Sequence, residues 1–115
     1  MADFKSWDVI KVPFPYTGRP VRQRRPALVV AARRIQQDHG LLWVLMITSA
    51  ENRGWAGDVA ITNLSMAGLP AASVVRTAKI ATIEAKEAEV IGHLPDPDRG
   101  LVARQLEAEL PSLTD

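Results

Sequence analysis

At 115 residues the chain is long enough for one hydrophobic core and too short for a second, so we expect a single domain over residues 1–115. Its 47% hydrophobic and 23% charged residues are typical of a globular protein and exclude a disordered or fibrous one. The absence of cysteine excludes disulfides, thiolate metal sites and a cysteine nucleophile, and it fits a cytoplasmic protein.

The sequence predicts neither a secretory leader nor a membrane span. The first residues lack the basic start and apolar run of a signal peptide. The longest apolar stretch, residues 41–47, is far shorter than the roughly 20 residues that cross a bilayer. We therefore expect a soluble, unprocessed protein that does not contact a membrane.

Charge is unevenly distributed although the net charge is only +1. Residues 1–53 hold nine Lys or Arg against four Asp or Glu, a balance of +5, whereas the remainder holds five against nine, a balance of −4. Six arginines lie between Arg19 and Arg34. Such a cluster suits a phosphate backbone, but a solvated basic edge that prevents aggregation would have the same composition. Charge alone leaves both interpretations open.

The first half of the chain predicts three strands. Residues 7–14 are rich in β-branched and aromatic side chains and end at prolines, and residues 25–32 are apolar at odd and even positions, as in a buried strand. Residues 16–23 between them have the composition of an exposed loop. A polar connection with room for a helical turn follows at 33–40, and residues 41–49 are too short and too closely flanked by turn residues for a buried helix.

The second half predicts shorter strands and a terminal helix. After a loop at 51–57 we expect a short strand at 58–62, an irregular stretch at 63–72, two strands or one bent strand at 73–77 and 80–83, and a strand at 89–94. Asp96 is the expected N-cap of a helix that stops before Pro111. Its apolar stripe comprises Leu101, Val102, Leu106 and Leu110. The fold class is therefore mainly β, a small twisted barrel with a C-terminal helix.

Four segments, in this order and spacing, resemble the PemK/MazF family of bacterial toxins. They are DVIKVPFPYT at 8–17, RRPALVV at 24–30, ITS at 47–49 and SVVRTAKIATI at 73–83. No single segment is highly specific, but their combination covers nearly the whole chain.

The resemblance implies an SH3-like barrel that forms a homodimer in the bacterial cytoplasm, cuts single-stranded RNA at short sequences and is held in check by an antitoxin. It implies contact with operator DNA only as a toxin–antitoxin complex. The family's catalytic arginine matches Arg25, and its catalytic threonine matches Thr48. Arg76 matches a position that contributes to the RNA site in some members.

The chemistry of the two matched residues agrees with metal-independent cleavage of RNA. If the 2′-hydroxyl of RNA attacks the neighbouring phosphorus, the enzyme must stabilise extra negative charge and move two protons. Arg25 presents a planar fork of donors to phosphate oxygens but is a poor base, since a guanidinium is almost never deprotonated in a protein. We therefore assign it charge stabilisation, with proton donation to the leaving oxygen as a second role. Thr48 has one donor and two acceptor positions with which to orient a reacting oxygen.

Five further residues are candidates for RNA binding. The basic side chains of Arg22 and Arg24 suit the phosphate backbone, Arg76 follows from the resemblance, and Ser49 lies beside Thr48.

Among the aromatic residues, Trp55 suits base stacking, as Phe14 and Tyr16 do less clearly, whereas Trp7 and Trp43 are expected in the core. Each residue also has a structural interpretation, since arginines often lie on solvated edges, threonines favour strands and aromatic residues fill barrels.

The sequence implies no cofactor and no metal. No cluster of His, Asp and Glu has the spacing of metal ligands. Nothing in the sequence brings His39 and His93 together as an acid–base pair.

Two departures from the family pattern leave alternative functions open. Pro20-Val21 and Gln23 stand where many members have a Glu-Gln pair and a glycine, and Ala78 stands where some have an acidic residue. The alternatives are an SH3-like barrel that binds nucleic acid or a peptide without cutting it, and a structural dimer whose basic segment binds nothing. The last is the weakest, because clustered arginines repel one another unless an anion meets them.

Overall fold

The structure, a computed structural model, describes residues 3–15, 22–52 and 54–110 and shows a mainly β fold with a C-terminal helix, as predicted. The strands are β1 (Asp8–Pro15), β2 (Arg22–Ala31), β3 (Leu41–Ser49), β4 (Asp58–Ala60), β5 (Ser73–Glu84) and β6 (Glu89–His93). The helices are α1 (Arg33–His39), α2 (Leu64–Ala67) and α3 (Asp96–Glu109). The predicted loop at 16–23 lies outside the described residues except for Arg22 and Gln23, which belong to β2.

The strands form one antiparallel sheet in the order β4-β5-β3-β2-β1-β6. The sheet is not closed into a full barrel, so β4 and β6 are its edges. Helix α2, which follows β4, contacts β6 at the opposite edge and partly bridges the gap. Two glycines permit this contact, because a Cβ on Gly68 would lie 1.9 Å from the Ile91 carbonyl oxygen and one on Gly92 would lie 2.3 Å from the Ala67 carbonyl carbon.

The sheet buries apolar side chains on both faces because the strands alternate residues between them. One face packs against α2 and α3, and its cluster includes Val9, Leu28, Leu45, Ile47, Val75 and Val102. The other carries a second cluster that includes Phe4, Ile10, Val12, Ala27, Val29 and Val44. Burial on both faces explains why residues 41–47 are apolar at nearly every position.

The structure corrects one predicted detail of secondary structure and decides two others. The stretch at 63–72 is not wholly irregular, since it contains α2, whose first turn is capped by the Asn63 side chain accepting from the Met66 N–H. The connection at 33–40 forms the helix α1. Of the two alternatives for 73–83 the single bent strand is correct: β5 is continuous but bulges, because Arg76 pairs with Met46 while Ile80 pairs with the preceding Leu45.

Trp43 is not a core residue. It lies between the buried Leu42 and Val44 on β3, so its side chain points away from their cluster and is 47% exposed. Trp7, by contrast, is half-buried against the first cluster, as expected.

Helix α3 differs from the prediction in its start and its stripe. Pro95 occupies the N-cap position and Asp96 is the first helical residue. Val102 is buried and Leu106 packs against the core, but Leu101 and Leu110 are about half exposed. Within the described ranges no helix is long and apolar enough to cross a membrane.

Candidate active site

The register of the sheet places Arg25 and Thr48 on the same face. Ala27 on β2 pairs with Met46 on β3, and the pairing of these two strands ends there. Arg25 lies two residues before Ala27 and Thr48 two residues after Met46, so alternation along each strand puts both side chains on the face of that pair. Arg25 is half-buried and donates from Nη2 to Gln23 Oε1 at 3.4 Å.

The Thr48 hydroxyl is held by an asparagine that the sequence analysis did not select. Asn52 donates from Nδ2 to Thr48 Oγ1 at 3.2 Å. It ends the short 3-10 turn Ala50–Asn52 that follows β3. Since a hydroxyl has one donor and two acceptor positions, Thr48 retains its own proton and a second acceptor position for a substrate.

Arg76 is buried and paired within the protein. Its side chain is 9% exposed and makes a two-point contact with Asp58, from Nε to Oδ1 at 3.2 Å and from Nη2 to Oδ2 at 3.0 Å. Nη2 also donates to the Asn52 carbonyl at 2.6 Å. These hydrogen bonds from Arg76, with its positive charge, hold the pKa of the Asp58 carboxyl below its ordinary value despite the opposing effect of burial. The arginine therefore stabilises the turn at Asn52, and the suggestion that it contacts RNA stays a prediction.

Trp55 lies over this buried pair with much of its ring in solvent. The Arg76 guanidinium carbon is 4.3 Å from the ring centroid and Lys79 Nζ is 5.7 Å from it, both within the range of cation–π contact. The backbone N–H of Trp55 donates to Asp58 Oδ2 at 3.3 Å. Trp55 is 47% exposed, so it combines a fixed position with a surface available for stacking.

The β5 bulge and one glycine fix the loop that carries Trp55. Thr77, in the bulge, donates from Oγ1 to the Gly57 carbonyl at 2.8 Å. Gly57 has a φ of +89°, and a Cβ there would lie 2.7 Å from Thr77 Oγ1. Only glycine fits this position without strain.

The structure separates two of the predicted RNA-binding residues from Arg25 and Thr48. Because successive residues of a strand face opposite ways, Arg24 and Ser49 belong to the other face. Arg24 Nη2 lies 3.7 Å from Glu89 Oε2 and donates to the Lys11 carbonyl at 3.4 Å. Ser49 Oγ accepts from the Glu51 N–H at 3.3 Å.

Other candidates fall partly outside the description. Arg22 begins β2, but its side chain is not among those described, and Tyr16 lies outside the described residues. Phe14 is described only as a backbone position of β1 opposite Gln23. His93 ends β6 with Nδ1 3.0 Å from Asp8 Oδ1, whereas His39 ends α1.

Asn52, Asp58 and Lys79 are the residues near the site that sequence reasoning missed. Asn52 lies in a predicted loop with no motif around it. Asp58 and Arg76 form a pair only through the β4–β5 register, in which they are direct partners. A signal was present, since an acidic residue at the start of one predicted strand and a basic one on another apolar strand are candidates for a cross-strand pair.

Comparison with known proteins gives one family. The model of the family described as "PemK-like, MazF-like toxin of type II toxin-antitoxin system" matches residues 5–110. None of the curated proteins compared with the chain matches it significantly.

Solved structures agree on the fold. The chain is 20% identical to MazF from Deinococcus radiodurans, with a TM-score of 0.76, over 96% of this chain and 99% of the other. In the MazE–MazF complex from the same organism the values are 20%, 0.73, 96% and 97%. An endoribonuclease solved with its cognate antitoxin from a mycobacterial species is 14% identical, with a TM-score of 0.72 and 96% coverage of both chains.

Proposed function

Because the chain belongs to the PemK-like, MazF-like toxins of type II toxin–antitoxin systems, we propose that it is a metal-independent endoribonuclease that cuts single-stranded RNA. The observation that supports the proposal is that Arg25 and Thr48 lie on one face of the sheet, each two residues beyond the paired Ala27 and Met46. A guanidinium and a hydroxyl on this face supply charge stabilisation at the phosphate and orientation of a reacting oxygen.

In the proposed reaction the 2′-oxygen attacks the adjacent phosphorus and the bond from phosphorus to the 5′-oxygen breaks. The products are a 2′,3′-cyclic phosphate and a 5′-hydroxyl. Water accepts the proton of the 2′-hydroxyl and a proton from water reaches the leaving 5′-oxygen, so atoms and charge balance and no other reactant is needed.

Arg25 stabilises the negative charge that accumulates on the phosphorane oxygens. A guanidinium can donate two parallel hydrogen bonds to a phosphate, and such charge-assisted bonds are the strong ones. Because Arg25 is half-buried, its charge is less screened by water than that of a fully exposed side chain. Thr48 orients the 2′-hydroxyl or a non-bridging oxygen with the hydrogen-bonding positions left after its contact with Asn52.

Trp55 is the proposed stacking surface for an unpaired base. Its exposed ring rests on the Arg76 guanidinium, so stacking requires no ordering of the side chain. Replacing an aromatic stacking residue by alanine costs about 1–3 kcal/mol per base.

The proposed partners follow from the family and from its solved members. Two neighbours in the fold are toxins in complex with an antitoxin, so we expect a cognate antitoxin that blocks this chain. We also expect a homodimer in the bacterial cytoplasm, and binding to operator DNA only as a toxin–antitoxin complex.

Expression in a bacterium tests the function directly. The wild-type protein should arrest growth and generate RNA fragments with 5′-hydroxyl ends at a common short sequence, whereas Arg25→Ala at the same protein level should do neither. Intact RNA and normal growth with the wild-type protein would instead favour a barrel that binds nucleic acid without cutting it.

A further inference from the structure

A continuous chain of contacts joins Thr48 to Trp55. Asn52 donates from its side chain to Thr48, and its carbonyl accepts from Arg76. Arg76 in turn is paired with Asp58 and lies under the Trp55 ring. We infer that Asn52 is a positioning residue for the Thr48 hydroxyl, and that the buried Arg76–Asp58 pair holds Asn52 and Trp55 as one rigid unit. This inference rests on the proposed ribonuclease function.

Burial makes the Arg76–Asp58 pair the fixed part of the unit. Both side chains are only 9% exposed, and a buried pair is costly to separate because each charge would lose its partner of opposite sign. The two-point geometry also restricts rotation of the guanidinium plane. The Asn52 carbonyl and the Trp55 ring both contact this guanidinium, so their positions relative to each other are fixed as well.

Asn52 transmits this order to the proposed reaction centre. Its backbone is fixed by the 2.6 Å hydrogen bond from Arg76, and its side-chain amide contacts Thr48 Oγ1 at 3.2 Å. An amide donor on Oγ1 directs the hydroxyl proton away from Asn52, because one of the two acceptor positions is occupied. The proton is thus directed towards a substrate oxygen on the face shared with Arg25.

The consequence for RNA is a fixed distance between the base that stacks on Trp55 and the phosphate that is cut. A base stacked on Trp55 and a phosphate held by Arg25 and Thr48 belong to one strand. Because the stacking ring and the hydroxyl are parts of one unit, the base on Trp55 determines which phosphate reaches Thr48. Lys79 Nζ lies 5.7 Å from the ring centroid, so a second cation lies close to the proposed stacking surface.

Single-turnover kinetics separate positioning from folding. In Asn52→Ala, the cleavage rate at saturating RNA should fall about tenfold, as expected for the loss of one hydrogen bond. Its affinity for an uncleavable 2′-deoxy analogue should stay within about twofold, because the contact is not made to RNA. The matched control is Asn63→Ala, which removes the cap of α2 and should lower the melting temperature by a few degrees without changing the cleavage rate.

The second arm tests the rigid unit. In Asp58→Asn, the ¹⁹F signal of 5-fluorotryptophan at Trp55 should move towards its solvent value while those of Trp7 and Trp43 stay in place, and affinity for the analogue should fall. Arg76→Lys, which keeps the charge but loses the two-point contact, serves as a second variant where Asp58→Asn unfolds the protein.

The outcomes distinguish the two proposals. Wild-type cleavage with an equally fast Asn52→Ala, or an unchanged Trp55 signal in folded Asp58→Asn and Arg76→Lys, contradicts this inference alone. A wild-type protein that cuts no RNA contradicts the proposed function and this inference with it.

Discussion

At the scale of single residues, the charge of Asp58 determines whether the loop that carries Trp55 stays in place. The carboxylate accepts two hydrogen bonds from the buried Arg76 and one from the backbone N–H of Trp55. Removing it leaves a guanidinium buried without its counter-charge. Asp58→Asn should therefore lower the free energy of unfolding by about 3 kcal/mol, the lower end for breaking a buried pair, as measured by urea denaturation at neutral pH.

The same pair predicts a pH dependence. The folded-state pKa of Asp58 lies below its ordinary value of 3.8, chiefly because of the hydrogen bonds from Arg76. The stabilisation is thus complete above the unfolded-state pKa and is lost as the pH falls through the lower folded-state pKa. The free energy of unfolding of the wild type should exceed that of Asp58→Asn by a constant amount above about pH 5, and this difference should become smaller in more acidic solution. A gap that widens as the pH falls would contradict this assignment.

At the residue scale, alternation and resemblance are the parts of the sequence that carry information about the candidate site. The resemblance selects Arg25 and Thr48, and the structure places them on one face. Alternation alone assigns Arg24 to the face opposite Arg25, although composition groups the two. Asn52 could not be selected, because its contact with Thr48 depends on the conformation of a three-residue turn and not on a sequence pattern.

At the scale of elements, the approach of α2 to β6 decides how nearly the open sheet closes. A methyl group on Gly92 would lie 2.3 Å from the backbone of Ala67, so Gly92→Ala must push the helix from the strand. We expect a loss of about 3 kcal/mol or more in the free energy of unfolding, as for severe overpacking.

Gly100 provides the matched control for this substitution. It lies within α3, and a Cβ there would have no neighbour within 4 Å. Gly100→Ala should therefore stabilise the protein by about 0.5–1 kcal/mol through helix propensity. Equal effects of the two substitutions in thermal denaturation would show that α2 does not pack on β6 as described.

Element prediction was best where a segment is long and patterned. The strands around residues 8–14, 25–31 and 41–49 follow from their apolar runs and their proline or glycine boundaries. Helix α2 could not be foreseen, since four residues are too few to show a helical period and its only local signs are the capping residues Asn63 and Gly68. Trp43 was assigned to the core because it sits in an apolar run, but the strand turns every second residue of that run to the opposite face.

At the scale of the whole molecule, the order of four motifs predicted the family and its fold. A family model that extends over residues 5–110 confirms the family. The strand order is harder to predict from the sequence, because β5 lies between β3 and β4 and β6 pairs with β1. Such long-range pairing depends on how apolar surfaces from distant segments pack together, which no local pattern contains. The proximity of Trp55 to Arg76 is a consequence of this topology.

The assembly of the whole molecule is a separate prediction. We expect sedimentation equilibrium to give twice the mass of one chain at micromolar concentration, because the family resemblance implies a dimer. A single-chain mass across the whole concentration range would contradict this prediction and would weaken the proposal that RNA and antitoxin bind as in the family.

The most direct measurement is the cleavage rate of a single-stranded RNA at saturating protein in EDTA, compared among the wild type, Arg25→Ala and Arg24→Ala. The two variants make the same change at adjacent positions that face opposite sides of β2. The wild type should cut and leave 2′,3′-cyclic phosphate ends, and Arg25→Ala should be slower by about 10²–10³-fold, as for loss of a transition-state donor. Arg24→Ala should keep most of the saturating rate. Cleavage that requires added metal, or Arg25→Ala that cuts as fast as Arg24→Ala, would contradict the account.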